Sequence, residues 1–189
     1  MNEVVAHAAE QAKKDYEAVK PFLKVLVKDD AILNHEFATD IIYKVDLLGT
    51  CTILVMDYDN QFRYLRKEDI IEWEASIDEI FLAALDNIAE EEVTINQVEH
   101  EDAIEMFLFF SGDFSAAKML QFERNAHFAL GKYGSVIAIP TKGTAFVSPI
   151  NHNNVIGILE ILSKSYENVI ITVIKTENDL KALAKRKPD

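Results

Sequence analysis

The chain has one cysteine, Cys51, among 189 residues. A single thiol cannot build an intrachain disulfide framework, and no CxxC pair is present to hold zinc. Glycine is sparse at six residues, and proline at four. No P-loop, no G-x-G-x-x-G fingerprint and no G-x-S-x-G elbow occurs, which removes the commonest phosphate-cradling and serine-hydrolase motifs. There is no internal repeat, low-complexity tract or Gly/Pro/Ser linker. No apolar run reaches the roughly 18 residues of a membrane span. Basic residues are absent from Glu68 to Glu105.

That last absence shapes the charge. From Lys67 to Glu105 fourteen acids stand against one base, so the segment accounts for the whole net charge of −13. The remaining eighteen acids and eighteen bases cancel. Nucleic-acid binding needs a basic footprint, so this balance argues against it. A cationic protein partner is favoured if the acids share one face. Hydrophobic content of 49% and charged content of 27% are those of an ordinary globular protein. The length suits one domain, or two small lobes. The first residues read as a polar helix with Glu3, Glu10, Lys13 and Lys14 and not as a signal peptide, which makes the cytoplasm the default location.

The stretch from Ala103 to Pro149 organises the rest. Met106, Phe107, Leu108, Phe109 and Phe110 form an unbroken apolar run, the pattern of a strand covered on both faces. Ser111-Gly112-Asp113 stops it, with Asp113 or Ser115 placed to cap a following helix. Met119, Phe122, Ala126, Ala129 and Leu130 give that helix one apolar stripe, and Gly131 suits its C-terminus. Val136 to Ile139 reads as a buried strand, and Lys142-Gly143 as the turn into a last strand over Thr144 to Val147.

Upstream, residues 3–20 have a helical stripe that ends at Pro21, and Phe22 to Val27 reads as a strand. Ile41 to Leu48, Thr50 to Met56 and Phe62 to Arg66 form a β-meander. Asp57, Asp59 and Glu68 match three calcium-loop positions, but Phe62 stands where that loop needs glycine, so the turn reads as a plain hairpin. Ser76 followed by Glu79 is a capping box that opens a helix to about Ala89. Val93 to Val98 begins as a strand. Val155 to Tyr166 reads as a helix, Val169 to Ile174 as a strand, and Asp179 to Lys185 as a short final helix. The fold class expected is α+β, with a mixed or mostly antiparallel sheet and helices packed mainly on one side. The chain forms one domain over 1–189, or two subdomains, 1–90 and 91–189.

Two stretches together carry a family resemblance. Asn60 to Ile88, NQFRYLRKEDIIEWEASIDEIFLAALDNI, joins a strand to a capped helix through an acidic connection holding Trp73. FFSGDFSAAKML and SVIAIPTKGTAFVSP follow in that order. This resembles the bacterial YtpQ-like family over roughly residues 40–180. The resemblance implies a bacterial cytosolic α+β protein, and it brings no catalytic residues because the family has no assigned activity.

Chemistry-bearing residues are scattered. Cys51 lies in an apolar strand and reads as an inert buried thiol. The five histidines stand singly. His100 among Glu99, Glu101 and Asp102 is the nearest approach to a metal set, and a solvated turn is the reading preferred there. His127 reads as a partly buried, hydrogen-bonded residue. No catalytic residue, cofactor or metal site is expected. If a small-ligand or enzymatic site exists, the strand-to-helix turn is its place, with Asp113, Arg124, Asn125 and Thr141 as the candidates. The first expectation is a non-catalytic interaction or regulatory module whose acidic face, including Glu72, Glu90, Glu91 and Glu92, binds a cationic partner. Homo-oligomerisation is a third, weaker role.

Overall fold

The computed structural model describes residues 16–46, 49–58, 61–99, 104–151, 154–165 and 170–174. Residues 3–15 of the helix expected over 3–20, the Asp59 position, the set around His100, and the helix over 179–185 lie outside these. The chain is α+β with two antiparallel sheets, and it divides into two units, Met1–Glu90 and Glu91–Asp189.

The first unit is built on β3 (Thr50–Tyr58). Its residues from Thr50 to Met56 are all buried. An aliphatic and β-branched run of this kind is stable only as a strand flanked on both edges and covered on both faces. β1 (Leu23–Asp29) pairs antiparallel along one edge, from Leu23↔Met56 to Asp29↔Thr50. The other edge is shared by two short strands. β2 (Tyr43–Val45) takes the Cys51–Ile53 end, and β4 (Gln61–Tyr64) takes the Val55–Tyr58 end. A short helix α1 (Tyr16–Val19) leads into a 3-10 turn, Lys20–Phe22, that holds Pro21.

The helix α2 (Ile77–Glu90) packs against β1 with Ile80, Phe81, Ala84 and Ile88 buried. Its capping box forms as the sequence implies. The Glu79 backbone N–H donates to Ser76 Oγ at 3.2 Å, and the Ser76 backbone N–H donates to Glu79 Oε2 at 2.7 Å. Near its other end Asn87 Nδ2 donates to the Lys20 and Leu23 carbonyls at 2.7 and 2.8 Å. One amide thus ties α2 to the start of β1. The opposite face of the sheet is covered by two 3-10 turns, Asp30–Asn34 and Glu36–Thr39. Ile32, Leu33 and Tyr64 pack there against Ile41, Cys51 and Ile53.

The second unit holds β5 (Thr94–Glu99), β6 (Glu105–Phe110), β7 (Ser135–Thr141), β8 (Thr144–Pro149) and β9 (Ile170–Ile174). Their order is β5-β6-β8-β7-β9, antiparallel throughout. The expectation that Met106–Phe110 is the middle of the core, covered on both sides, is corrected here: β8 is the middle strand. Phe109 is buried, but Phe110 is 40% exposed. It pairs with Thr94 on the edge strand, at the end of the ladder. Helical segments lie on both faces of this sheet. Met119, Phe122, Ala126 and Ala129 pack on Phe109, Ile137, Ala145 and Val147. Ile158 and Leu162 of α5 (Val155–Ser165) pack with Met106, Val136 and Ala138.

The single helix expected before Gly131 is broken into α3 (Ser115–Lys118) and α4 (Phe122–Asn125), each followed by a 3-10 turn. Asn125 Nδ2 takes the Lys118 carbonyl at 2.8 Å, a side-chain donor in place of the helical backbone. The 3-10 turns keep the stripe on one side, so the apolar residues still reach the sheet. Gly131 does not cap a helix by a left-handed conformation, since the positive φ belongs to Gly134, at 106°. Gly131 is needed for close approach: a Cβ there would overlap the Ile150 backbone nitrogen and lie 2.7 Å from the Gly134 carbonyl oxygen.

Two stability measurements follow. Gly131→Ala forces backbone apart and costs about 1–3 kcal/mol in urea unfolding. Acid unfolding reports on the cap. The Ser76 backbone N–H, followed by its hydroxyl, holds the Glu79 carboxyl below its usual pKa. The resulting stability is present above the ordinary glutamate pKa and is lost as pH falls through the lowered one. Glu79→Gln therefore loses less stability than the parent as pH falls below about 4.5.

Candidate functional site

The turn between β6 and α3 is where sequence placed a ligand site, and there the fold uses up its polar groups. The Ser111 N–H donates to Ser115 Oγ at 2.6 Å, and that hydroxyl donates to the Gly143 carbonyl at 2.8 Å. Ser111 Oγ donates to the Glu92 carbonyl at 2.7 Å. Lys118 Nζ donates to the Glu91 carbonyl at 2.7 Å. Gly112 has φ of 49°, and its carbonyl oxygen would lie 2.5 Å from a Cβ on Gly143. The β7–β8 hairpin is thereby pressed against the strand-to-helix turn, and the Ala116 N–H donates to the Lys142 carbonyl at 3.1 Å.

Asp113 does not cap the helix. Its carboxylate accepts from Lys142 Nζ at 2.6 Å, and the cap position belongs to Phe114, which offers no side-chain acceptor. The lysine sits in the turn of the β7–β8 hairpin, 29 residues on, and neutralises the carboxylate that a capping role would have used. Thr141 is exposed beside that pair, at the end of β7. Arg124 is exposed on α4, while the Asn125 amide turns to the Lys118 carbonyl. So Asp113 and Thr141 come to one hairpin end, and Asn125 serves the backbone. His127 is exposed, not partly buried as its place beside the stripe implied.

Lys118 is the residue the sequence most concealed. It is 1% exposed, in a helix whose polar positions read as surface. Ser115 and Lys118 have the S-x-x-K spacing of serine acyltransferases, which puts both on one helical turn. But Ser115 is 0% exposed, and its oxygen both accepts and donates within the turn. A nucleophile must reach a substrate carbonyl, and this hydroxyl is walled in. Cys51 is likewise buried. Burial above all, then the nearby Asp46, Asp30 and Asp29, pushes its thiol up to about 11, so it is protonated and unreactive at neutral pH.

The acids divide by use. Asp69 is buried and accepts from Arg63 Nη1 at 2.7 Å and from the Arg66 N–H at 2.8 Å. Asp78 accepts from Lys44 Nζ at 2.7 Å, and that bond, with the charge behind it, lowers its pKa. Lys44 also lies 4.3 Å above the Phe81 ring centre. Glu79 caps α2, and Glu105 accepts from Gln97 at 2.6 Å. Glu72 and Glu90 are exposed in the first unit. In the second, Glu92 is exposed and Glu91 half-buried, and the carbonyls of both are held by the serine–lysine cluster. Among the described residues no group of three or more His, Cys, Asp or Glu is arranged to hold a metal, and no helix is long and apolar enough to cross a membrane.

No family model, no curated protein and no solved structure matches this chain.

The two lysines of this turn differ in what their removal costs. Lys118→Met removes the buried amine's bond to the part-buried Glu91 carbonyl and lowers unfolding free energy by about 1–3 kcal/mol. Lys142→Met removes a half-exposed pair and costs less than about 1 kcal/mol. Denaturant titrations of the two variants side by side check the order.

Proposed function

We propose that this chain, a YtpQ-like protein of the bacterial cytoplasm, is a non-catalytic interaction or regulatory module that docks a cationic partner protein on the outer face of α2. One observation carries the reading. Asp78, Glu79, Asp86 and Glu90 are all exposed, and at 100° per residue they fall on one side of the helix around Leu82. Leu82 is 60% exposed. The helix contains no lysine or arginine. An apolar residue flanked by acids, of which Asp78 is already paired with Lys44, suits a partner segment that brings a small hydrophobe and several cations.

The placement has a cost that supports this reading. Carboxylates at Asp78 and Glu79 suit the positive N-terminal end of the helix dipole. Asp86 and Glu90, followed by Glu91 and Glu92, crowd the negative end, and the last turn has no base. Stability alone would place lysine there. The Asp113 turn lends less to an enzymatic reading, because its hydroxyls and buried amine serve backbone carbonyls.

The test uses a fluorescein-labelled hexalysine peptide and anisotropy. Binding is expected at 50 mM salt and should weaken steeply by 300 mM. In Asp86→Lys/Glu90→Lys it falls about tenfold. Affinity that is indifferent to both salt and charge reversal removes the proposal.

A further inference from the structure

β5 stands at the end of the five-strand order, and it lacks the devices that protect an edge. Its six residues pair with β6 in unbroken register, from Thr94↔Phe110 to Glu99↔Glu105, with no bulge to twist the strand away. Alternation sends successive side chains to opposite faces, yet Thr94, Ile95, Asn96, Gln97 and Val98 are all exposed. Apart from the β6 ladder, their backbone groups have no backbone partner among the described residues. Such an edge offers a row of N–H and C=O groups to another chain, and natural edges are blunted by lysine or proline. Neither occurs from Thr94 to Val98.

Both faces beside this edge are apolar. Ile95 is 38% exposed and stands opposite Phe109. On that face Phe107 and Phe109 meet the Phe128 ring at 5.0 and 6.0 Å, and Phe128 is itself exposed. Val98, 44% exposed, stands opposite Met106 on the other face. A strand laid on β5 therefore covers apolar groups on both sides.

Charge decides which strand. Glu91 and Glu92 precede β5, Glu99 ends it, and Glu101 and Asp102 follow in sequence, with no lysine or arginine over residues 91–105. A second copy of the chain, in either direction, would set acids against acids at both ends, and like charges facing across a ladder are destabilising. A segment with cations at both ends and β-branched residues between them meets the opposite condition.

We infer that β5 accepts an added strand from a partner protein: an extended, β-branched segment bounded on both sides by lysine or arginine, held by main-chain hydrogen bonds along the outer edge of Thr94–Val98. The inference does not depend on what α2 binds.

The experiment uses the full chain and two fluorescein-labelled peptides, KKTVTVTKK and KKTPTPTKK. Their charge is the same, but proline has no N–H to give to an edge. By anisotropy KKTVTVTKK should bind about tenfold tighter, whereas a surface that reads charge alone holds both equally. Asp86→Lys, on α2, should leave that ratio unchanged. At saturation the amide hydrogens of Thr94–Val98 that point away from β6 should exchange about tenfold more slowly. Ile95→Lys places a cation on the exposed strand and should weaken KKTVTVTKK about tenfold. If that variant lowers the melting temperature, hydrogen exchange on the unaltered chain decides. No binding, equal binding of the two peptides, or protection confined to other residues overturns the inference. So does a dimer in light scattering whose β5 amides are already protected, which makes a second copy the occupant.

Discussion

A strand with seven successive buried residues leaves no position for a side chain that needs water, and β3 is such a strand from Thr50 to Met56. Everything in the first unit answers that demand. β1 covers one edge completely, and two short strands divide the other. α2 covers one face and the 3-10 turns over Asp30–Thr39 the other. The polar groups near the strand are paired: Thr52 donates to Asp46 at 2.6 Å, and Lys24 holds Asp57 at 2.8 Å. The segment that must cover Cys51 and Ile53 is short, and it ends by stacking Phe37 on Tyr64, with ring centres 5.7 Å apart.

The second unit meets a different constraint, the satisfaction of backbone carbonyls where segments change direction. Ser111, Ser115, Lys118 and Asn125 each donate to a carbonyl, at Glu92, Gly143, Glu91 and Lys118 respectively. Buried carbonyls without such donors would each cost about 1–3 kcal/mol. Side chains that resemble a reactive set by type are therefore fully occupied as structural donors. The carboxylates of Asp69 and Glu79 are occupied too, as acceptors.

Legibility in the sequence followed the range of the interaction. The Ser76–Glu79 cap, the Lys142-Gly143 turn and the apolar run of β3 are written within a few neighbouring residues, and they stand where reading places them. The break between α3 and α4 was hidden, because it depends on the Asn125 amide reaching a carbonyl seven residues back. Asp113 looked like a cap because its partner, Lys142, is 29 residues away. Lys118 looked like surface because nothing local says that its amine ends on Glu91. The stacking of Phe37 on Tyr64 was hidden for the same reason, since the two belong to elements that only the sheet brings together. The acid excess was plain as a number, but the sequence could not separate Asp69, buried on Arg63, from Glu90, exposed at a helix end.

That separation bears on how charge is distributed over α2. Its first-turn acids lower the free energy of the helix, and its last-turn acids raise it, by amounts on the order of a few tenths of a kcal/mol each. Terms this small are lost against the burial of Ile80, Phe81, Ala84 and Ile88, roughly 1.5–3 kcal/mol for each large side chain. Association is more sensitive, because several like charges on one face act together on an approaching cation and set both its rate of arrival and its register. Acids gathered on one exposed side of α2 are the pattern that the proposed docking role calls for.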